Sequence, residues 1–192
     1  LDDVNRLDRL ITDISDSSRL DAELNRETFE AIDIKRLLLA FHELRKFQKR
    51  FEQKLLTINI KEDEKQLLIF GHENRIVQVI DNIVDNAVTF APLNSKIHIT
   101  LNANTTSVKI TIDDEGPGIP ENKLEAIFQR FYSERPPAEK FGLHSGLGLS
   151  ICKQIVEAHN GKIFAKNRTD YRNDIRGARF IITLPIMNKS KV

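Results

Sequence analysis

Three short stretches of this chain, and a longer segment between two of them, carry residue types suited to holding a charged, polar ligand. Asn82 and Asn86 lie four positions apart in "DNIVDNAVTF", so on a helix both amides project from one face. An amide has several hydrogen-bonding positions to satisfy, and two beside an apolar stripe suit a polar ligand or an oxygen-coordinated ion such as Mg²⁺. A pair of solvated surface amides explains them as well. In "DDEGPGIP", Asp114 follows an alternating run and precedes Gly116 and Gly118, where glycine lets a backbone approach a ligand closely. A carboxylate there can accept a hydrogen bond from an exocyclic amino group, which adenine carries where guanine has a carbonyl. A Gly/Pro turn with a solvated aspartate has the same composition. "HSGLGLSI" places Gly146 and Gly148 at the start of a helical run. Bare N–H groups and the positive helix end favour phosphate there, although a plain helix-starting turn is nearly as good an account. Before it, residues 129–145 hold Arg130, Arg135 and Lys140. That is long for an ordinary connection, which suits a mobile lid over a ligand.

Other chemistries lack their residues. Neither His42-Glu43 nor His72-Glu73 is followed by the second histidine of a zinc-protease helix, and no Walker A or protein-kinase motif set is present. With 29 basic and 28 acidic residues the net charge is +1, so no global field attracts nucleic acid or a membrane. The run "RKFQKR" (45–50) is interrupted and reads as a solvated helix face. The lone Cys152 excludes a disulfide framework and fits a reducing compartment. No apolar stretch approaches membrane-spanning length, and no signal peptide opens the chain. Starting without methionine and in mid-pattern, the chain reads as a piece of something longer.

The elements that must position these residues follow from periodicity. Val4, Leu7, Ile11 and Ile14 alternate spacings of three and four within a helix over 2–24, the seam of a coiled coil or bundle. Such a stripe needs a partner to bury it, so 1–26 reads as the tail of a dimerisation element and 27–192 as one further domain. "TFEAIDI" (28–34) reads as a strand leading into a helix to about Phe51. "LLTINI" (55–60) and "QLLIF" (66–70) read as strands around the charged turn "KEDEK". Residues 73–91 form a helix with the stripe Ile76, Val79, Ile80, Ile83, Ala87 and Phe90, stopped by Pro92. "KIHITLNA" (96–103) and "SVKITIDD" (107–114) alternate as paired strands. A helix over 148–159 and the strands "GKIFAKN" and "ARFIITLPI" close the chain. Helices and strands intermix without a regular βαβ rhythm, which predicts an α+β two-layer sandwich.

In combination and in this order, these stretches are specific. "NIVDNA", "DEGPGI", "IFQRF", "HSGLGLSI" and "GARF" with Gly177 resemble the N, G1, F, G2 and G3 boxes of the catalytic, ATP-binding domain of bacterial sensor histidine kinases. That superfamily also includes gyrase and Hsp90. The resemblance covers roughly residues 28–187, and the helix at 2–24 is similar to the second helix of the family's dimerisation domain. "FYSERP" with "FGLHSGLGLSICKQIVEAH" resembles the ChvG/ExoS subgroup. The resemblance implies that Asn86 coordinates Mg²⁺ bridging the ATP phosphates, and that Asn82 supports the nucleotide and its hydration. It implies that Asp114 binds the adenine amino group, that Gly116, Gly118 and Ile119 shape the base seat, and that Phe90 stacks on adenine. Gly146, Leu147, Gly148 and Leu149 would close over phosphate. Phe128, Arg130, Phe131, Arg135, Lys140 and His144 would belong to the lid, with Phe128 and Phe131 packing at its root.

The resemblance further implies transfer of the γ-phosphoryl group to a histidine on dimerisation helices absent here, then to an aspartate of a response regulator. It implies a homodimer, no nucleic-acid partner, and a cytoplasmic domain of a membrane-anchored sensor. Two departures from the family stand out. Val88 and Thr89 stand where Lys or Arg often contacts phosphate, so Arg130, Arg135 or Lys140 must supply that charge, and His144 stands where another glycine is common. "FHELRKF" imitates the family's phosphoacceptor motif but continues Lys46-Phe47 rather than Thr-Pro and follows the dimerisation-like helix. His42 is therefore expected to be an ordinary residue of the nucleotide domain's first helix. The rivals are a gyrase- or Hsp90-like ATPase or a serine-directed anti-sigma kinase, and a non-catalytic module that keeps the fold for partner binding.

Overall fold

A computed structural model describes residues 28–45, 48, 54–60, 66–132 and 146–187. The stripe at 2–24 and the lid positions Arg135, Lys140 and His144 lie outside the described residues.

Five strands, β2 (Leu55–Ile60), β4 (Lys96–Ala103), β5 (Ser107–Asp113), β6 (Lys162–Thr169) and β7 (Ile175–Pro185), form one sheet in the order β2-β4-β5-β7-β6. All neighbours are antiparallel except β2 and β4, which run parallel from Leu55↔Lys96 to Ile60↔Leu101. A parallel pair needs a long crossover, here supplied by β3 (Leu68–Gly71) and α2 (Glu73–Phe90). The strands flanking "KEDEK" thus enter different sheets: β3 pairs with β1 (Glu30–Asp33), Glu30 opposite Gly71. The first helix is α1 (Ile34–Arg45); the expected end of its run at Phe51 lies outside the described residues. Its buried positions are Ile34, Leu37, Leu38 and Phe41, and the apolar seam has ended by Leu44, which is exposed.

Alternation on three central strands sends Ile97, Ile99, Leu101, Val108, Ile110, Ile112, Phe180, Ile182 and Leu184 to one face, all buried. Against it lie Ile76, Val79, Ile80, Ile83, Val84 and Ala87 of α2, together with Ile151, Cys152, Ile155 and Val156 of α3 (Gly148–Ala158). Each fully buried isoleucine is worth about 1.5–3 kcal/mol of transfer free energy, so this layer holds the α+β sandwich together. Phe90, expected in the stripe, is only half-buried at the end of α2.

One polar joint ties the layers at their edge. The buried His159 accepts the His72 N–H at Nε2 (2.9 Å), lies 2.7 Å from the Ile155 carbonyl through Nδ1, and stacks on Phe29 at 4.9 Å. A carbonyl only accepts, so the proton sits on Nδ1 and the ring is neutral. Gly71 makes room, since a Cβ there would lie 2.4 Å from His159 Cδ2. Burial lowers the His159 pKa.

Candidate functional site

Strand β5 ends at two adjacent carboxylates that strand alternation sends apart. Asp113 turns to the back of the sheet, where Arg179 grips it with two hydrogen bonds of 2.6 Å and Arg168 Nε lies 3.7 Å away. Asp114 is 4% exposed and receives the Gly116 N–H (2.8 Å) and the Ala178 N–H (3.0 Å), both at Oδ1. Its Oδ2 accepts nothing among the described residues. Burial raises the Asp114 pKa; the two N–H donors and the Arg168 charge oppose this without cancelling it.

The backbone around Asp114 is held as firmly as its side chain. Its N–H donates to the Ala178 carbonyl (3.1 Å), and its own carbonyl accepts from Arg168 (2.5 Å). At Gly177 φ is +134° and an added Cβ would lie 1.9 Å from the Asp114 oxygen, so no side chain fits. A Cβ on Gly116 would lie 3.0 Å from the Phe90 carbonyl, which places the end of α2 directly against this turn. Further along, Asn167 of β6 hydrogen-bonds both backbone groups of Ile119.

The α2 side is built more loosely. Asn82 and Asn86 are both half-buried on one helix face. The Asn82 amide donates to the Gly148 carbonyl (3.4 Å) and reaches the Cys152 thiol, joining α2 to the start of α3. The Asn86 amide makes no hydrogen bond among the described residues. Burial pushes the Cys152 thiol up to about 12, and its Sγ donates weakly to the Val79 carbonyl at 3.6 Å. It is therefore inert as a nucleophile.

Gly146 and Gly148 differ. Gly146 has φ +73°, and a Cβ there would lie 2.8 Å from the Tyr132 carbonyl, so the backbone requires glycine. A Cβ on Gly148 would lie 3.8 Å from the Asn82 amide, ordinary contact, so protein packing does not explain this glycine. Between them Leu147 is buried, its carbonyl accepting from Ser150 Oγ (2.8 Å), and Leu149 packs against the core.

The two phenylalanines expected at the lid root differ in burial. Phe128 is buried edge-on against Phe180, with centroids 6.4 Å apart. Phe131 is 63% exposed with φ +65°, so it does not pack there. The left-handed turn it occupies lets the chain pass Gly146 and leaves the ring outside. Arg130 is exposed. His42 is half-buried on α1 with Nε2 3.1 Å from the Leu56 carbonyl, an ordinary helix-to-strand contact.

Sequence reasoning missed several supports. Lys54 donates to the Val88 carbonyl and so brings a cation to the C-terminal end of α2; burial lowers its pKa. Cations are favoured at that end of a helix. Asn167, Arg168 and Arg179 reach the Asp113–Ile119 segment from 48 to 66 positions away.

Residues 71–188 match the family described as histidine kinase-, DNA gyrase B-, and HSP90-like ATPase. The sensor protein ChvG of Rhizobium meliloti is 42% identical over 189 residues, which is 95% of this chain and 33% of that protein. The chain thus spans about a third of the length of that relative. Among solved structures, the catalytic domain of histidine kinase ThkA has a TM-score of 0.68 at 30% identity, covering 83% of this chain and 96% of that one. ThkA in complex with response regulator protein TrrA has a TM-score of 0.72 at 28% identity, covering 98% of this chain and 50% of that one.

Proposed function

The chain belongs to the histidine kinase-, DNA gyrase B- and HSP90-like ATPases, and from that membership we propose that residues 27–192 are the ATP-binding catalytic domain of a sensor histidine kinase. The observation that carries this is Asp114: a buried carboxylate with Oδ1 taken by two backbone N–H groups and Oδ2 left for an incoming donor. The adenine amino group is such a donor and the guanine carbonyl is not, so the site selects adenine. Gly116, Gly118 and Ile119 form the wall beneath the base, and Phe90 lies beside it at the end of α2. Gly146, Leu147, Gly148 and Leu149 open α3, where the positive helix end suits phosphate.

Asn86 offers a hard, half-buried amide oxygen with no competing partner among the described residues, which fits Mg²⁺, an ion that keeps several waters and needs few protein ligands. Bound there, Mg²⁺ would neutralise phosphate charge. Asn82 orients the phosphates and their hydration. An amide is no base, so nothing at Asn82 activates water, and hydrolysis by the domain alone is weak. Phosphoryl transfer then relies on positioning and charge neutralisation. The acceptor is a histidine on dimerisation helices that residues 1–26 continue, and the phosphoryl group passes on to an aspartate of a response regulator. Dimerisation through those helices and membrane anchoring of the whole protein belong to the same reading. No described helix is long and apolar enough to cross a membrane.

Calorimetry of the chain with Mg²⁺-ATP and Mg²⁺-GTP tests this. ATP alone should bind; Asp114→Ala should abolish that binding, and Asn86→Ala should remove its Mg²⁺ dependence. Absence of ATP binding to the wild type would leave the partner-binding alternative. The same preparation should form no phosphohistidine, since His42 sits on α1 against the Leu56 carbonyl; stable phosphorylation there would overturn its reading as an ordinary helix residue.

A further inference from the structure

Asn167 stands on β6 opposite Ala178, the residue whose N–H donates to Asp114. Its side chain acts as a short piece of strand. Oδ1 accepts the Ile119 N–H at 2.7 Å and Nδ2 donates to the Ile119 carbonyl at 2.7 Å, with a second donation to Glu121 at 3.0 Å. Only a primary amide offers an acceptor and donors at that spacing. An aspartate would set a carboxylate oxygen against the Ile119 carbonyl, and alanine would leave both groups without this partner.

The turn so gripped is pressed against the β6–β7 hairpin. Gly118 has φ +79°, and a Cβ there would lie 2.7 Å from Asn167 Oδ1 and 2.5 Å from Ile175 Cγ2. The other end of the same turn is the Gly116 N–H, one of the two donors that orient Asp114. The Asp114 carboxylate is thus aligned by a turn whose far end is held by one amide.

We propose that Asn167 is a positioning residue for the nucleobase: by gripping the Ile119 backbone it fixes the 116–119 turn, and through it the direction in which Asp114 presents its free oxygen. This rests on the nucleotide-binding reading and deepens it, adding a specificity determinant outside the motifs that contact the ligand.

The test compares Kd for Mg²⁺-ATP and Mg²⁺-GTP with Tm in four forms of the chain: wild type, Asn167→Ala, Asn167→Asp and Arg45→Ala. The last breaks the Arg45–Asp81 ion pair (2.7 Å) between α1 and α2 and serves as a purely structural loss. Asn167→Ala should raise the ATP Kd about tenfold, the scale of one well-placed hydrogen bond, and narrow the ATP/GTP ratio. Asn167→Asp should lose more, while Arg45→Ala lowers Tm with Kd unchanged. An unchanged Kd in Asn167→Ala, or a Kd that moves only with Tm as the control does, overturns the proposal. Should the variants not fold, amide exchange in the wild type decides: the Ile119 N–H must be protected, and exchange as fast as in an open loop overturns the grip. A wild type that binds no ATP overturns the nucleotide reading and this inference together. Normal wild-type binding with unaltered Asn167→Ala binding overturns this inference alone.

Discussion

The turn after Asp114 and the helix face bearing Asn86 meet where Gly116 packs on the Phe90 carbonyl, yet they are built differently. On the Asp114 side nearly every polar group is engaged: two N–H donors on Oδ1, Arg168 on the carbonyl, Asn167 on Ile119, Arg179 on Asp113. On the α2 side Asn82 makes one long hydrogen bond to a carbonyl and a contact with the Cys152 thiol, and Asn86 makes no hydrogen bond among the described residues. Under the proposed nucleotide-binding reading, the difference matches what each end of a nucleotide needs. Discriminating one base from another requires donors and acceptors held in place before the ligand arrives. Phosphates and a hydrated ion exchange partners during transfer and release, so fixed protein partners there would compete with them.

This contrast can be broken at its stiffest point. Gly177→Ala drives a Cβ into the Asp114 carbonyl and should cost about 3 kcal/mol or more, seen as a large fall in Tm with loss of ATP binding. If Tm barely moves, the Asp114 side is not rigid.

Asp114→Asn separates affinity from stability. The amide keeps an acceptor for the Gly116 and Ala178 N–H groups but removes a buried charge that desolvation disfavours. ATP binding should be lost while stability rises by about 1 kcal/mol, roughly 2–4 °C in Tm for a chain of this size. A fall in Tm would mean that the Arg168 attraction outweighs burial.

The His159 joint extends the comparison to a saturated site away from the nucleotide. Burial lowers its pKa, so the folded state disfavours the charged ring. His72 and the Ile155 carbonyl face it, with the Phe29 ring alongside. The unfolded chain binds a proton near the ordinary histidine value, about 6.5, whereas the folded protein does so only at lower pH. This contribution is therefore complete above that value and declines as pH falls below it. Denaturation midpoints from pH 8 to 5.5 should fall on acidification, and His159→Gln should flatten that slope. Equal slopes in both proteins would remove His159 as its cause.

The smallest effect is at Gly148. Alanine fits beside Asn82 in ordinary contact and favours the helix, so Gly148→Ala should change stability by about 0.5–1 kcal/mol at most, in the stabilising direction. The same variant should weaken ATP more than adenosine if bare backbone there serves phosphate. Equal effects on both ligands would assign the glycine to something other than phosphate.

Much of this molecule was legible locally. Period-2 runs marked β4 and β5, and 3.6-residue periodicity marked α2 almost to its ends, because pattern and burial coincide where an element packs one face on the core. Motif order identified the family that residues 71–188 match. The pattern misled where apolar residues do not pack: Phe131 sits in a family motif yet points outward, and Phe90 leaves the stripe at the end of α2. It was also silent on pairing, since two neighbouring strands around a charged turn carry nothing that says they join different sheets.

The sequence by itself determined the residue types of the candidate site and the elements that bear them, since helix faces, strand ends and glycine turns are properties of a few neighbouring residues. Tertiary structure alone decided how those residues are held. Asn167 reaches Ile119 across 48 positions and Arg179 reaches Asp113 across 66; Lys54 arrives at the end of α2 from just before β2, 34 positions away. Such contacts depend on strand order and register, which the whole core settles together, and a side chain that braces another from so far along the chain leaves no pattern beside it.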